Sequence, residues 1–566
     1  MLNTTSLVKR SACALLAALC LLIIRVAPAA EGGTPPQAAI ASAHPLATEA
    51  GYDVLRRGGN AFDAAVAVAA ALAVVEPYSS GLGGGGFFLL HRAADGRQIM
   101  VDGRETAPAA ITRESYFDSA GNPIRGASTQ GGKSAAIPGV PAALVHVAQR
   151  YGRLPLSASL APAIRYAREG FAVDPRYARI ARLRERLLQG GADAANTFLD
   201  HGRAPQPGFV LRQPELAATL ERVVREGRKG FYTGPVARAL VEAANAAGGA
   251  WQLADLEHYK VVEREPVKFA YRGATITSAA LPSAGGIALA ESLGILEQFK
   301  LSDASQPAAA HLVIEALRRA FQDRALYLGD SDFVPAPLGK LVSREYARQR
   351  AATIDPDAAT RSDDLEGDKH AHAESGNTTH LSVIDVEGNR VAATLSINWL
   401  FGSGVVAGGV LLNNEMDDFT LRPDVPNSYR LRGGIANAIA PGKRPLSSMT
   451  PTFVEDEKGV LILGAPGGSR IVSQLLFAIL EYLRDPQVDL QRLVAMPRYH
   501  HQYWPDRVEI EPEGFPPEWR AAIEAKGHTI QVVSRKWGNM QVVFKSKQTG
   551  AARAASDPRG SDVAWY

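Results

Sequence analysis

The sequence predicts a mixed α+β protein, and two observations carry this prediction. Over the first two thirds, long stretches with a helical spacing of apolar residues are separated by short strand-like pieces. Over the last third, short runs alternate between apolar and polar residues, which is typical of strands, and polar loops separate them. The 566 residues, 46% of them hydrophobic, are enough to bury a large core.

The first 29 residues have the pattern of a secretory signal peptide. Lys9 and Arg10 precede an apolar run, and Ala27-Pro28-Ala29 supplies a small-residue cleavage site. The run is short for a membrane span, and a retained anchor is the alternative. We therefore expect an exported protein, periplasmic or secreted, with no stable membrane span after signal removal.

The signal peptide also determines the thiol content and the charge of the mature chain. It contains both cysteines, Cys13 and Cys20, so the mature protein would have neither a disulfide nor a thiol nucleophile. Its three basic residues and its lack of acidic residues account for the net charge of +3, which leaves the mature chain neutral. A neutral chain has no basic field for nucleic acid, so we expect no such partner.

Helices are predicted first over residues 47–57 and 60–75, and Asn60 is placed to cap the second of them. That second helix is apolar on all sides and should be buried. The glycine-rich loop at residues 81–90 lacks the Gly-Lys-Ser/Thr of a phosphate loop, so we expect it to pack closely against backbone. Further helices are predicted mostly at residues 137–188, 213–228, 233–247, 285–299 and 307–328, and strands at residues 259–267 and 274–278.

A polar tract at residues 355–377 has no apolar face and is predicted to be an exposed linker. Its His370 and His372 could ligate a metal, but no cysteine or carboxylate pattern supports them, so we expect solvated side chains. Neither a metal nor another cofactor is expected.

Thr378 and Thr379 stand between this linker and a predicted β-hairpin, whose alternating runs cover residues 381–385 and 391–395. An ordinary strand start is one interpretation. The other is that a cut before Thr378 makes it a chain terminus. An N-terminal threonine carries its own base, because an α-amino group has a pKa of about 7.7 to 8.0.

Loops of the last third hold groups that can bind charges, and one earlier loop adds an arginine. Backbone N–H groups at a turn between a strand and a helix can bind an oxyanion. Arg104 could clamp a carboxylate, or it could be a solvated surface charge. The loop residues in question are Asn398, Glu415, Asp417, Asp418, Ser447, Ser448, Gly467 and Gly468.

With these residues the chain resembles the γ-glutamyltransferases (glutathione hydrolases) of the N-terminal-nucleophile hydrolase superfamily. The resemblance covers about residues 39–566 and includes GGNAFDAAVAV, GLGGGGFF, DGRETAP, GDSDF, NTTHLSV, LLNNEMDDF, KRPLSSMTPT, GAPGGSRI and ASDPR. It implies a four-layer αββα sandwich formed by two subunits of one precursor that cuts itself between Asn377 and Thr378. Residues 30–377 would be the large subunit and residues 378–566 the small catalytic subunit, held together as a heterodimer.

The resemblance also implies the reaction. A γ-glutamyl group would pass from glutathione or another γ-glutamyl donor to water, or to the amine of an amino acid or peptide. Thr378 would be the nucleophile with its α-amine as base, and Gly467 and Gly468 would form the oxyanion hole, with Gly468 also at the donor.

Other residues match positions that bind the amino-acid end of the donor. Arg104, Ser447 and Ser448 match those that bind its α-carboxylate. Asn398, Glu415 and Asp418 match those around its α-ammonium.

Three further positions affect how the donor and acceptor are handled. Ser396 stands where members often have Thr, whose hydroxyl supports the nucleophile during processing and lies at the donor site. Tyr429 lies in a stretch that resembles a lid loop over the donor. Trp399 replaces a smaller hydroxylated residue, which leaves the acceptor preference open.

Two alternatives remain at this point. A β-lactam acylase of the glutaryl type shares the implied fold and nucleophile, but an acyl chain without an ammonium would leave Glu415 and Asp418 unpaired. A secreted scaffold without activity is the other alternative, and the presence of Thr378, Gly467 and Gly468 argues against it.

Overall fold

The structure is a computed structural model, and it describes most of the chain after the predicted signal peptide. The described residues are 37–301, 303–365, 378–422, 425, 427, 430–431, 433–485, 487 and 489–560. Several predictions therefore lie outside the described residues: the signal peptide, the histidines of the linker, Asn377 and Tyr429.

The helices lie mostly before Thr378, as predicted. They are α1 (Pro45–Arg56), α2 (Ala61–Val75), α3 (Val140–Tyr151), α4 (Leu156–Glu169), α5 (Pro175–Leu188), α6 (Ala192–Phe198), α7 (Pro214–Glu226), α8 (Lys229–Tyr232), α9 (Gly234–Ala246), α10 (Leu253–His258), α11 (Gly285–Leu296), α12 (Pro307–Tyr327), α13 (Leu338–Leu341), α14 (Arg344–Ala351), α15 (Arg470–Arg484), α16 (Leu490–Ala495) and α17 (Pro517–Ala525).

The strands occur throughout the described chain. They are β1 (Ala39–Ser42), β2 (Gly85–Arg92), β3 (Arg97–Gly103), β4 (Phe171–Ala172), β5 (Val210–Leu211), β6 (Val262–Arg264), β7 (Val267–Tyr271), β8 (Ala274–Ser278), β9 (Thr379–Ile384), β10 (Arg390–Ser396), β11 (Val406–Ala407), β12 (Val410–Leu411), β13 (Thr452–Glu455), β14 (Gly459–Gly464), β15 (Tyr499–His500), β16 (Val508–Ile510), β17 (Ile530–Val532), β18 (Gln541–Ser546) and β19 (Ala552–Ser556).

Two six-stranded antiparallel sheets form the centre of the molecule. The first has the order β1-β9-β10-β2-β3-β6, and the second has the order β19-β18-β14-β13-β8-β7. Alternate side chains of each strand point to opposite faces, so each sheet buries apolar residues on both sides. One apolar cluster joins the two sheets and includes Leu89, Ile384, Phe453, Ile462 and Val543.

The outer faces of the sheets are covered by helices. On the first sheet, Leu381, Val391 and Leu395 pack in one cluster with α2 and α3. On the second sheet, Leu461 and Leu463 pack in another cluster with α11 and α15. The mixed α+β class predicted from the sequence is confirmed.

Helix α2 confirms the predicted cap and the predicted burial. The Asn60 side chain accepts hydrogen bonds from the Phe62 and Asp63 backbone N–H groups, which would otherwise lack partners at the helix start. Every residue of the helix is buried. A helix that is apolar all round is stable only in such surroundings, because no face can be given to water.

The predicted strand at residues 259–267 is wrong in one respect. The structure has two strands there, and they belong to different sheets: β6 ends the first sheet and β7 ends the second. Pro266 lies between them and has no N–H to donate to a ladder, so the strand is interrupted where the chain passes from one sheet to the other.

A small polar cluster lies between the two sheets, close in the chain to Thr378. His380 on β9 bonds to the hydroxyls of Thr394 (2.8 Å) and Ser382 (3.1 Å), and burial lowers the pKa of His380 to about 3. Its ring is therefore neutral. The ring fills the space above Gly464 on β14, where a methyl group would overlap it.

Among the described residues, no helix combines the length and the apolar character needed to cross a membrane.

We predict that Gly464→Ala lowers the apparent Tm by a few degrees, because overpacking a dense core costs about 1 to 3 kcal/mol. The matched control is Gly339→Ala, since Gly339 is exposed in α13 with open space around it. Calorimetry should show no loss of Tm for the control. Equal Tm values for the two variants would contradict the packing described for His380.

Candidate active site

The candidate nucleophile, Thr378, is buried at the start of a central strand. It directly precedes β9, has 3% of its surface exposed, and lines a small cavity. Because β9 is hydrogen-bonded to β1 on one side and β10 on the other, the backbone that follows Thr378 is held in place. The other predicted site residues on this cavity are Ser396, Glu415, Asp418, Ser447, Ser448 and Gly468.

Of the predicted site residues that the structure describes, Arg104, Asn398 and Gly467 do not line this cavity, and Arg104 is the most informative of them. Arg104 is fully buried, so the solvated alternative is wrong. Its guanidinium donates to the carboxylates of Glu415 and Asp418, the second at 2.5 Å, and its Nε donates to the Pro445 carbonyl at 3.1 Å. The residues assigned to opposite ends of the donor are thus in direct contact with one another.

This contact sets the charges of the site. Burial raises the pKa of Glu415 to about 7, although Arg104 opposes the shift. Burial likewise raises the pKa of Asp418, while Arg104 and Arg324 oppose it. Burial acts to lower the pKa of Arg104, but Glu415 and Asp418 hold it above its usual value, so Arg104 stays charged.

Arg324 on α12 is a residue that the sequence analysis missed. It is buried, lines the cavity beside Asp418, and has a pKa that burial lowers to about 10. It adds a second cation to the site, so two guanidinium groups face two carboxylates. The signal in the sequence was weak, because Arg324 lies in a helix whose other charges, such as Glu315 and Arg319, pair with each other.

Two asparagines that were not predicted hold the acidic loop in position. The Asn413 side chain donates to the carbonyls of Gly83 and Ala136, both at 2.7 Å, and accepts from the Glu415 N–H at 2.9 Å. Asn414 donates to the Thr129 carbonyl at 2.7 Å. The acidic loop is thereby tied to residues of the first part of the chain.

The glycine-rich loop confirms the prediction of close backbone packing. A side chain at Gly83 would overlap the Leu411 backbone, and one at Gly84 would overlap the Ser396 carbonyl. The Gly84 carbonyl also accepts from the N–H of Val140 at 3.0 Å. Only glycine permits this close approach to the end of β10, where Ser396 lines the same cavity as Thr378.

Ser447 and Ser448 lie before β13, and the Ser448 carbonyl accepts a hydrogen bond from the Thr450 hydroxyl at 2.9 Å. The Ser447 N–H donates to the Pro282 carbonyl at 2.8 Å, and the Ser447 hydroxyl accepts from the Met449 N–H at 3.1 Å. A hydroxyl that accepts in this way still has its own proton to donate. The arrangement is therefore suited to binding a carboxylate oxygen.

Gly467 and Gly468 form the turn between β14 and α15. Their φ angles of 131° and 59° lie in the region that favours glycine. Among the described residues, neither N–H donates a hydrogen bond. Gly468 lines the cavity with Thr378, so this turn has the arrangement expected of an oxyanion site.

Asn398 does not line the cavity, but it is hydrogen-bonded to Ser396, which does. Its φ of 70° is one that asparagine tolerates, its N–H donates to the Ser396 hydroxyl at 2.7 Å, and its side chain donates to the Asn414 carbonyl at 2.9 Å. These bonds link the end of β10 to the acidic loop.

Among the described residues, no group of three or more His, Cys, Asp or Glu side chains could hold a metal ion.

Comparisons with known proteins place these residues in a family. The family profile of gamma-glutamyltranspeptidase matches residues 47–566. The glutathione hydrolase proenzyme of Escherichia coli K12 is 40% identical over 532 residues, which cover 93% of this chain and 91% of that protein. The glutathione hydrolase proenzyme of Pseudomonas sp. strain A14 is 42% identical over 496 residues, 86% of this chain and 85% of that protein.

The fold of this chain is similar to that of a solved structure. The cephalosporin acylase of Bacillus halodurans superposes with a TM-score of 0.82 at 30% identity, covering 94% of this chain and 97% of that one. The profile spans nearly all of the described chain, and the two proenzymes match this chain over most of their own length. The chain therefore belongs to the gamma-glutamyltranspeptidase family.

Proposed function

We propose that this protein hydrolyses glutathione and other γ-glutamyl compounds, and that it transfers the γ-glutamyl group to amino acids or peptides. One observation carries the proposal: Thr378 shares a small cavity with Glu415, Asp418, Ser447 and Ser448. A threonine nucleophile thus stands beside groups that suit both ends of an amino-acid zwitterion.

We infer further that the chain matures by cutting itself between Asn377 and Thr378. The Thr378 hydroxyl attacks the Asn377 carbonyl, and an N-to-O acyl shift replaces the peptide bond by an ester. Water hydrolyses this ester and leaves a carboxylate on Asn377 and a free α-amine on Thr378. Residues 1–29 are removed as a signal peptide during export to the periplasm or the outside.

The strand pairing supports an association of the two products, residues 30–377 and 378–566. Three antiparallel pairs join strands from before and after the proposed cut: β1 with β9, β2 with β10, and β8 with β13. Both sheets therefore contain strands of both pieces. This arrangement fits the proposed heterodimer and the four-layer αββα sandwich of N-terminal-nucleophile hydrolases.

In the proposed reaction, the Thr378 hydroxyl attacks the γ-amide carbonyl of the donor while its α-amine accepts the proton. The N–H groups of Gly467 and Gly468 bind the oxyanion, and losing one such donor typically costs about 2.7 to 4 kcal/mol. The α-ammonium then protonates the leaving amine. Water or an acceptor amine attacks the γ-glutamyl ester and releases Thr378.

Charge balance explains why the donor should be a zwitterion. Burial raises the pKa of Glu105, 3.5 Å from Arg104, well above its usual value, which favours the neutral form of this carboxyl. At a pH above the pKa of Glu415, Arg104 and Arg324 therefore balance Glu415 and Asp418 in the absence of a ligand, and an added zwitterion leaves this charge balance unchanged. An acyl chain that carries a carboxylate alone would add one uncompensated negative charge. In this proposal Ser447 and Ser448 complete the α-carboxylate site with Arg104.

Three assignments complete the proposal. Asn398 orders the acidic loop near the donor's ammonium, Ser396 supports the nucleophile with its hydroxyl, and Tyr429 closes a lid over the donor. A closed lid excludes water and orders the reacting groups.

Acylase activity is the second candidate, favoured by the likeness to the cephalosporin acylase structure. We predict that kcat/KM for γ-glutamyl-p-nitroanilide exceeds that for glutaryl-p-nitroanilide by about 100-fold, since the two substrates differ in the ammonium alone. Asp418→Asn should narrow this ratio by about tenfold. A preference for the glutaryl compound would assign the acylase function instead.

We predict that Thr378→Ala stays a single chain on a denaturing gel and loses glutamate release from glutathione by at least about a thousandfold. Thr378→Ser is the matched control, because it keeps a hydroxyl and an α-amine after cutting. Mass spectrometry of the control and of the wild type should show a fragment that begins at residue 378. A cut and active Thr378→Ala protein would contradict the proposed nucleophile.

We predict that KM for γ-glutamyl-p-nitroanilide rises as the pH falls from about 8 to 6. The pKa of Glu415 is raised to about 7, so lower pH protonates the carboxylate and removes its attraction for the donor ammonium. KM is measured apart from kcat, because the Thr378 α-amine titrates nearby. In Glu415→Gln, KM at pH 8 should be higher than in the wild type, and KM should stay nearly constant between pH 8 and 6. If KM of the variant rises with falling pH as steeply as KM of the wild type, Glu415 does not bind the donor.

A further inference from the structure

A second and much larger depression lies on the other side of the oxyanion turn. It is an open groove of about 1180 Å³, which we name the cationic groove. Pro466 and Gly467 form part of its wall, whereas the next residue, Gly468, lines the cavity of Thr378. Trp399 and Leu400, just after Asn398, form another part of the wall. The groove therefore begins where the cavity of the nucleophile ends.

The charge of this groove is strongly one-sided. Nine of its lining residues are arginine or lysine, and among the described residues Glu509 is its only acidic one. Such a concentration of like charge attracts anions, and the walls of a groove focus the field. The chain after residue 29 has a net charge of zero, so this excess of positive charge is local to the groove.

Some of these cations have structural partners. Arg470 and Arg507 share Glu509, with Arg470 Nε at 3.0 Å and Arg507 at 3.1 Å from its carboxylate oxygens. Arg559 pairs with Glu511 at 2.7 Å and with Asp557 at 3.0 Å.

Other cations have none. Arg179 on α5 and Arg535 beyond β17 are both exposed, and among the described residues neither side chain makes an ion pair or a hydrogen bond. Lys536 is 4.0 Å from the exposed Glu513. Arg179 and Arg535 can therefore turn to a ligand without giving up a protein partner, and Lys536 would give up only its long, exposed contact with Glu513.

The groove is positioned to bind the leaving amine of the first step and the acceptor amine of the second step. When the γ-glutamyl group occupies the cavity of Thr378, the leaving amine lies beside the oxyanion turn, because the amine and the oxyanion are bonded to the same carbon. The acceptor amine must reach the ester by the same route, because transfer to an amine is the reverse of the first step. The two glycines of the oxyanion turn thus divide between the two sites: Gly467 lines the groove and Gly468 lines the cavity of Thr378.

We propose that the cationic groove is the acceptor and leaving-group subsite, and that it selects acidic peptides, whose additional carboxylates contact Arg179, Arg535 and Lys536. The inference rests on the proposed γ-glutamyl transfer. The acceptor amine attacks the ester carbonyl, a C–N bond forms, the C–O bond to Thr378 breaks, and the amine proton returns through the α-amine to the threonine oxygen.

The test compares two acceptors with the same terminal amine and nearly the same shape, Gly-Glu-Glu and Gly-Gln-Gln, with γ-glutamyl-p-nitroanilide as donor. We predict that KM for Gly-Glu-Glu is about tenfold lower at low ionic strength, and that the gap falls below about twofold in about 0.5 M NaCl, where charges are screened within a few ångströms. Equal KM values at low salt would overturn the proposal.

Variants locate the effect. Arg179→Gln and Arg535→Gln should each raise KM for Gly-Glu-Glu about threefold relative to Gly-Gln-Gln. Arg182→Gln is the matched control, because Arg182 is exposed on the same helix as Arg179 but does not line the groove. It should leave the KM ratio unchanged. Equal effects of Arg179→Gln and Arg182→Gln would place the selectivity elsewhere.

The two proposals fail in different ways. If the wild-type protein releases no p-nitroaniline even with water as acceptor, the proposed function is wrong. If it releases p-nitroaniline but shows no preference between the two peptides, only the assignment of the cationic groove is wrong.

Discussion

The arrangement of the site depends on the buried ion pairs of Arg104 with Glu415 and Asp418. They join a loop after β3 to a loop of the last third, and they do so where water is excluded. Breaking a buried pair typically costs about 3 to 5 kcal/mol, because the remaining charge has no solvent to compensate it. Burial raises the pKa of Glu415 and the contact with Arg104 lowers it, so the structural link and the charge of the site cannot be changed separately.

Much of the fold could be predicted because local signals and tertiary structure agree. The N-cap at Asn60 and the alternation in β9 and β10 are properties of short segments, and the structure has them where the patterns predict them. The division of residues 259–267 between two sheets could not be predicted, because sheet membership is decided by partners far away in the chain. Pro266 was the only local signal, and by itself a proline indicates a break rather than a change of sheet.

The site shows the same limit. The motifs identified the residues around the cavity, but they assigned Arg104 and the acidic pair to opposite ends of a ligand. The direct contact between Arg104 and this pair could not be predicted, because a sequence motif contains no distances between side chains. Arg324 was missed because the sequence pattern of a charged helix does not distinguish an arginine that faces solvent from one that faces a cavity. The cationic groove was missed for a related reason: a net charge of zero does not describe where the charges lie.

Refolding of the protein depends on strand pairs that join the two pieces: β1 with β9, β2 with β10, and β8 with β13. Before the proposed cut, these partners find each other within one chain, and folding does not depend on concentration. Afterwards, an unfolded molecule consists of two separate polypeptides that must meet again in solution. Recovery from denaturation then becomes a bimolecular event, so the mature enzyme relies on slow unfolding to persist in a dilute environment.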